Sequence, residues 1–590
     1  MWRFRIFFAA VFFVFWNMAG LSVVWAVEPD EPDKGELSAT SDEPDTGAEK
    51  DTRTIADYNK AIDQNPDDQD LLFERAQAYA RLGEFDRVVA DYSRVILLDP
   101  QNTEALNNRG NAYEAMGDFN HALADYNQAI AFGSRGPYVF YNRGLAHLGL
   151  GAYDNAIADF DTVIAQVPDD SSTFFMRGRA YGSRGDSERA VEDYTRSLEL
   201  DPEGIGSLNN RGLIFAKRGE YRRAIADYDR GLGIAPDDEI LLSNRGYAYF
   251  NLKDYARAIS DYDRVIALDP VNAGNYADRG NAWYRNGGYD QAIADYDRSL
   301  EYEPDNLDAL YGRAATYSAK GVYAKAIQDY DRILAREPRD AWAYFKRGQA
   351  HGNTGDQGQA LLDYSKAVEY DPQDHAAYNN RGLIYAERGE YERAIADYDK
   401  AVALDTETNL PVFNRGRAYA SMDRLDEAIA DYTVASSIDP NDPLPYWNRG
   451  YLYATQGDYD KAIPDYDAAI LRADPDAELY FDRGYAYLQL EKYDPAISDF
   501  SRSIELGADN FATYYNRGYA YLLKDEFAAA VKDFDKAAAL EPSDSDTFFH
   551  RGVSWLGLGN IGQAISDLYT SFKLSDAGDR VAPVQGNAYA

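Results

Sequence analysis

Two charged residue types recur in this chain where an apolar side chain would be expected. In the stretch YNNRGLIYAERGEYERAIADYDKA, residues 378–401, Arg381 precedes Gly382 and Asp397 precedes Tyr398. The first position is arginine fifteen times, from Arg75 to Arg551, and the second is aspartate fifteen times, from Asp91 to Asp567. A planar guanidinium can hold a carboxylate through two parallel hydrogen bonds. Two uses of such a set are open. One is a periodic charge code for a repetitive ligand. The other is a ladder of internal ion pairs, with Arg381 meeting Asp397 and Arg415 meeting Asp431, or each arginine reaching across to a neighbouring unit. Equal numbers of the two types favour mutual neutralisation, because an unpaired, partly buried charge costs several kcal/mol.

Other chemistry has little material. The chain has no cysteine, which excludes disulfides, thiolate nucleophiles and zinc–sulfur sites. Its five histidines, His121, His147, His351, His375 and His550, fall at unrelated points of the pattern, so no catalytic cluster is expected. Acids such as those in DPNDP, residues 439–443, lack the spaced ligand loop of a calcium site. The expectation is no enzyme, no cofactor and no metal.

The arginines and aspartates are positioned by a repeat. From residue 69 to 578 the chain repeats every 34 residues without insertion or deletion, which makes fifteen units and signals a solenoid. Within 375–408, Tyr378, Leu383 and Tyr385 mark one helix, and Tyr391, Ala394, Ile395, Tyr398, Ala401 and Val402 a second. Gly389 and Glu390 separate them, a helix-stopping glycine and an acid near the next N-terminus. Gly382 and Ala394 are small where two antiparallel helices must approach. In ten units a proline such as Pro372 or Pro440 ends the second helix.

These residues resemble the tetratricopeptide repeat. Gly fills the first small position in thirteen units, with Ala76 and Ala314 as exceptions, and Ala fills the second in fourteen, with Val88 as the exception. The resemblance implies an all-α fold, an α-solenoid coiling as a right-handed superhelix of antiparallel helix pairs, with first helices lining a concave face that binds peptides or partner proteins. Family repeats more often carry Leu at the Arg381 position, so this chain departs from the pattern there.

Mapped through the resemblance, the concave face should be aromatic in its C-terminal third. One first-helix position gives Phe413, Trp447, Phe481, Tyr515 and Phe549; another gives Tyr451, Tyr485 and Tyr519; a third gives Leu488, Leu522 and Leu556. They share one helical face. Large exposed apolar patches mark interaction sites, unless neighbouring helices bury these side chains against each other. Asn recurs just before the arginine, as at Asn380, Asn448 and Asn516. In peptide-binding relatives an Asn at this point can hold a ligand backbone; an amide bonded within the repeat is the plainer alternative. Relatives that clamp a C-terminal carboxylate need lysines in the groove, and Lys346 is nearly alone, so that class of partner is not expected. The candidate partner-binding residues are therefore Trp447, Asn448, Tyr451, Phe481, Tyr485, Tyr515, Asn516, Tyr519 and Phe549.

Composition agrees with a folded chain: 590 residues, 45% hydrophobic, 27% charged, formal charge −39. That charge argues against nucleic acid, whose phosphates need local Lys or Arg, and against an anionic membrane surface. Arg3 and Arg5 precede an uncharged run of 22 residues, 6–27, with small residues before a cleavage point at Ala26. This reads as a secretory signal peptide over 1–26, or as a membrane anchor left uncleaved, since the run is long enough to span a bilayer. Either places the bulk outside the cytoplasm, periplasmic or extracellular. Residues 27–53, with ten acids, three bases and three prolines, read as a disordered acidic linker. Residues 54–68 read as a second helix without its first, capping the array; 579–590 are a short tail. Solenoid ends need a cap, so repeat fifteen either caps itself or meets a partner with its outer face. The expected function is a non-enzymatic scaffold binding a partner segment in its groove. The alternative is a spacer or self-assembling rod that uses its ends and outer faces.

Overall fold

The computed structural model describes residues 47–576, with side chains from 55 to 575. Over that range the chain is entirely helical: 31 helices, α1 to α31 in chain order, joined by short turns. Contacts divide it into two compact units, one ending at Lys320 and the other continuing from Gly321, in the turn between α16 (Leu307–Ala319) and α17 (Tyr323–Arg336). Each unit is built from the same antiparallel hairpins in sequence order. The apolar run at 6–27 and the expected tail lie outside the described residues. No helix among the described residues is long and apolar enough to cross a membrane.

One hairpin shows why these residues fold this way. In α20 (His375–Glu387), the Asp374 carboxylate accepts the Ala377 amide at 3.0 Å and so caps an orphan donor. The helix ends at Gly389, whose φ of +75° is left-handed backbone that glycine adopts without penalty. The Gly389 amide then bonds Ala386 O at 2.9 Å, and the Glu390 amide bonds Tyr385 O at 2.8 Å. The chain thus reverses into α21 (Tyr391–Leu404). Where the helices cross, a Cβ on Gly382 would stand 2.7 Å from the Tyr398 ring. Glycine there lets the fully buried tyrosine lie flat against the first helix. In four turns a non-glycine takes the left-handed position: Lys253, Asp423, Glu491 and Asp525, with φ between 57° and 63°.

The N-terminal helix differs from expectation in extent. It runs over Gly47–Gln64, starting seven residues before the segment read as a cap and inside the segment read as linker. Ala48, Glu49 and Lys50 are good helix formers, and once the helix is nucleated they extend it. Ile55 and Ile62 pack with Leu72, Tyr79 and Val88 of α2 (Gln69–Arg81) and α3 (Phe85–Leu98). α1 therefore stands against α2 as a second helix stands against the next first helix.

Candidate functional site

The charged ladder is a set of closed internal bonds. Arg381 donates from Nε to Asp397 Oδ2 at 2.7 Å and from Nη2 to Oδ1 at 2.6 Å. Arg415 holds Asp431 in the same fork, at 2.8 and 2.7 Å, and the geometry recurs from Arg75–Asp91 to Arg551–Asp567. Each aspartate lies in the second helix of its own repeat. The third donor reaches the other way. Arg415 Nη1 bonds Asp399 at 2.6 Å, sixteen residues back in the preceding second helix. Arg75 likewise reaches Asn59, Arg211 Thr195, Arg517 Ser501 and Arg551 Asp535. One guanidinium so ties three helices, and pairing occurs both within and between repeats. Hydrogen bonding to Asp431 raises the proton affinity of Arg415 despite the opposing effect of burial. These donors are occupied by the chain itself, which leaves little for a ligand to read.

The third acceptor escaped the sequence reading. Its column holds Asp, Ser, Thr or Asn rather than one residue type, so identity alone hides it. What these residues share is a short side chain with an acceptor oxygen.

The row before the arginine is stitched sideways. Asn414 donates to Asn379 of the preceding repeat at 3.0 Å, and Asn244 to Asn209 at 2.9 Å. Two expected ligand-binding amides bond their own helices instead: Asn448 to Leu444 O and Asn516 to Ala512 O, each at 2.9 Å. Asn516 is buried, and so is Phe481, 7% exposed with its ring 5.6 Å from that of Phe500. These two therefore support the face from beneath. Phe481 lies in an apolar cluster with Phe500 and with Ala520 of the following first helix.

The remaining aromatics line first helices of the second unit: α24 (Pro443–Thr455), α26 (Ala477–Gln489), α28 (Phe511–Leu523) and α30 (Ser545–Gly557). Trp447, Tyr451, Tyr485, Tyr515 and Tyr519 are half-buried, and Phe549 is exposed. Tyr515 stacks parallel to Tyr519 with centroids 6.4 Å apart, and its hydroxyl lies 3.2 Å from His550 Nδ1. Tyr485 meets Tyr459 edge-on at 6.4 Å. His550 is the one histidine among these rings, and burial lowers its proton affinity. No group of three or more potential metal ligands forms among the described residues.

A residue absent from the sequence reading sits in this face. Asp482 takes the position just before Arg483, where Asn stands in other repeats. Its carboxylate accepts the Trp447 indole N–H at 2.9 Å. Burial pushes its pKa up to about 7; the indole bond opposes this, and Glu478 and Asp476 add to it. In the first unit Asp278 holds the same position, and burial with help from Asp308 carries its pKa to about 8. The signal was available: an acid in a column where Asn stands in eight of the fifteen repeats.

Tetratricopeptide repeat family models match residues 54–103, 103–132, 138–170, 175–239, 240–272, 308–340, 345–407, 447–511 and 481–545, and a TPR repeat model matches 280–321 and 416–457. Among curated proteins none matches. Solved structures similar to this chain include YrrB, described as a TPR protein with an unusual peptide-binding site, at 21% identity over 30% of this chain and 92% of that one, TM-score 0.30. Yeast Tom70 is similar at 16% identity over 75% of this chain and 96% of that one, TM-score 0.33. A tetratricopeptide repeat protein from Parabacteroides merdae is similar at 22% identity over 42% and 98%, TM-score 0.35. With matches through both units and the hairpin geometry the repeat demands, the chain belongs to the tetratricopeptide repeat family.

Proposed function

We propose that this chain is a non-enzymatic scaffold that holds a segment of a partner protein along the first helices α24, α26, α28 and α30. The observation that carries the reading is the row of part-exposed rings, Trp447, Tyr451, Tyr485, Tyr515, Tyr519 and Phe549, supported from below by Phe481 and Asn516. Aromatic side chains give large contact area at low entropic cost and dominate binding energetics. The partner is a protein or peptide, not nucleic acid. Following the reading of the N-terminal run, the scaffold works outside the cytoplasm, and a fusion reporter at residue 590 tests that. Replacing Trp447 and Tyr485 with Ala should abolish peptide capture while leaving thermal unfolding nearly unchanged. Capture that survives the double change overturns the groove.

A second reading has one observation in its favour. On α31 (Ile561–Asp576), Ile561, Ile565, Tyr569 and Phe572 are each 58–63% exposed. An uncovered apolar face suits end-to-end assembly. Solution mass separates the two: Ile565→Glu with Phe572→Glu dissociates a rod and leaves a monomeric scaffold as it was.

A further inference from the structure

The inner face of α24 to α26 contains a carboxylate whose environment is incomplete. Asp482 is half-buried, and among the described residues it has one hydrogen-bond donor, the Trp447 indole, and no ion pair. The adjacent cation is committed elsewhere: Arg483 spends its fork on Asp499, at 2.7 Å from both Nε and Nη2, and its third donor on Asp467 at 2.6 Å. The other charges that bear on Asp482 are acids, Glu478 and Asp476. On the α25 side (Tyr459–Ile470) it faces Tyr466, whose ring is 1% exposed and whose hydroxyl also feels Tyr451. A carboxylate thus stands beside an indole and the Tyr466 phenol, with no positive partner among the described residues. An anion buried this way is relieved either by taking up a proton or by a cation that completes the site. An ammonium or guanidinium on a ligand could bond the carboxylate and lie against the Trp447 ring, gaining from both. The whole chain, at −39, draws basic segments toward it.

We propose that Asp482, with Trp447 beside it, is a subsite for a lysine or arginine side chain of the bound segment, so that the partner is a basic peptide. The proposal rests on the aromatic face being the binding groove and gives that groove its charge preference. Asp482 contributes the charge. Trp447 both holds the carboxylate through its N–H and offers an aromatic surface to the cation. Tyr451 and Tyr485, one turn further along their helices, take the apolar residues beside it.

The test uses the full-length chain and a random ten-residue peptide library displayed at neutral pH. Peptides selected on the wild type should carry Lys or Arg at one fixed position relative to their aromatic or aliphatic residues. Asp482→Asn keeps the shape and the indole's acceptor, so it should still bind the selected peptides. It should bind them about tenfold or more weakly, as when one partner of a desolvated pair is neutralised, and it should bind the norleucine-for-lysine analogue no more weakly than wild type does. Selected peptides that depend on Tyr485 but show no basic preference, or that bind Asp482→Asn and wild type alike, overturn the cationic subsite and leave the groove standing. Peptides that bind equally well to Tyr485→Ala, or no enrichment at all, overturn the groove and the subsite with it.

Discussion

Two of the rows in which aspartate stands in this molecule behave differently. In the row of Asp397 the carboxylate is only 6% exposed, yet two guanidinium donors meet it at 2.6 and 2.7 Å. In the row of Asp278 and Asp482 no cation pairs with the carboxylate among the described residues, and burial is the main influence on it. In the first row Arg483 works against the burial that raises Asp499. In the second nothing comparable opposes burial, and the carboxyls rise to about 8 and about 7. Burial raises acids of both rows, and an opposing guanidinium in the first decides whether an aspartate locks a helix pair or stands ready to titrate.

The strongest way to break this comparison is to strip a partner from the first row. Asp397→Ala leaves Arg381, with 18% of its side chain exposed, without the carboxylate of its own repeat's second helix. The expected loss is about 3 kcal/mol in that hairpin. Arg381→Leu combined with Asp397→Ala should lose distinctly less, because neither charge is then stranded. Hydrogen exchange of the α20 and α21 amides reads both, since stability in a repeat array is local. A double variant as weak as the single one would mean that the pair contributes true net stability rather than register.

Gly382→Ala comes next. The new methyl would meet Tyr398 at 2.7 Å in a closed interface, and about 1–2 kcal/mol is expected. The loss stays small because this hairpin geometry tolerates a methyl there: Ala76 occupies the same position in the first repeat while Tyr92 stays 2% exposed. Exchange rates in α21 check it.

In the second row the sharpest probe is pH. The Asp278 carboxyl is raised in the fold, so the stability it contributes is fully present below its unfolded value near 4 and disappears as pH rises through about 8. Asp278→Asn removes that dependence. The unfolding midpoints of variant and wild type should lie close together at pH 4 and separate toward pH 9, with the variant the more stable. Parallel midpoints would show that burial and Asp308 do not hold the proton on Asp278.

Much of this was legible in the sequence because fifteen copies of one hairpin average away local noise. Arg381 and Asp397 stand out by never changing, and Gly382, Gly389 and Ala394 by the geometry each must satisfy. Two kinds of fact were not legible. One is a shared role hidden behind different residues: Asn59, Thr195, Ser501 and Asp399 all accept an arginine donor, yet they share an oxygen rather than a name. The other is position in the array. Val531 is 5% exposed, while Ile565, its equivalent one repeat later, is 63% exposed, because the described chain supplies no first helix beyond α31. Phe481 and Phe549 differ for the same reason, at 7% and 48%. A column of equivalent residues says what each side chain would touch in an endless array; the neighbours on either side decide what it does touch. At the other end Asn59 of α1 receives Arg75, so the same column ends in an acceptor there and in Tyr569 at the far end.

The smallest effect isolates one hydrogen bond. Asp278 and Asp482 share a register, are both raised by burial, and differ in that Asp482 accepts the Trp447 N–H. A donor aimed at a carboxylate favours the ionised form. Trp447→Phe keeps a ring and deletes the donor, so the Asp482 pKa should climb from about 7 toward the value of about 8 found at Asp278. Carboxyl carbon-13 shifts followed from pH 5 to 9, with Asp482→Asn to assign the resonance, give the number directly. Stability should change little at pH 5, where the group is protonated in both proteins, and fall slightly in the variant at pH 9, where the ionised carboxylate has lost its donor. An unmoved titration would mean the indole does not bond Asp482 in solution, and the difference between the two acids would then have to come from Glu478 and Asp476 on one side and Asp308 on the other.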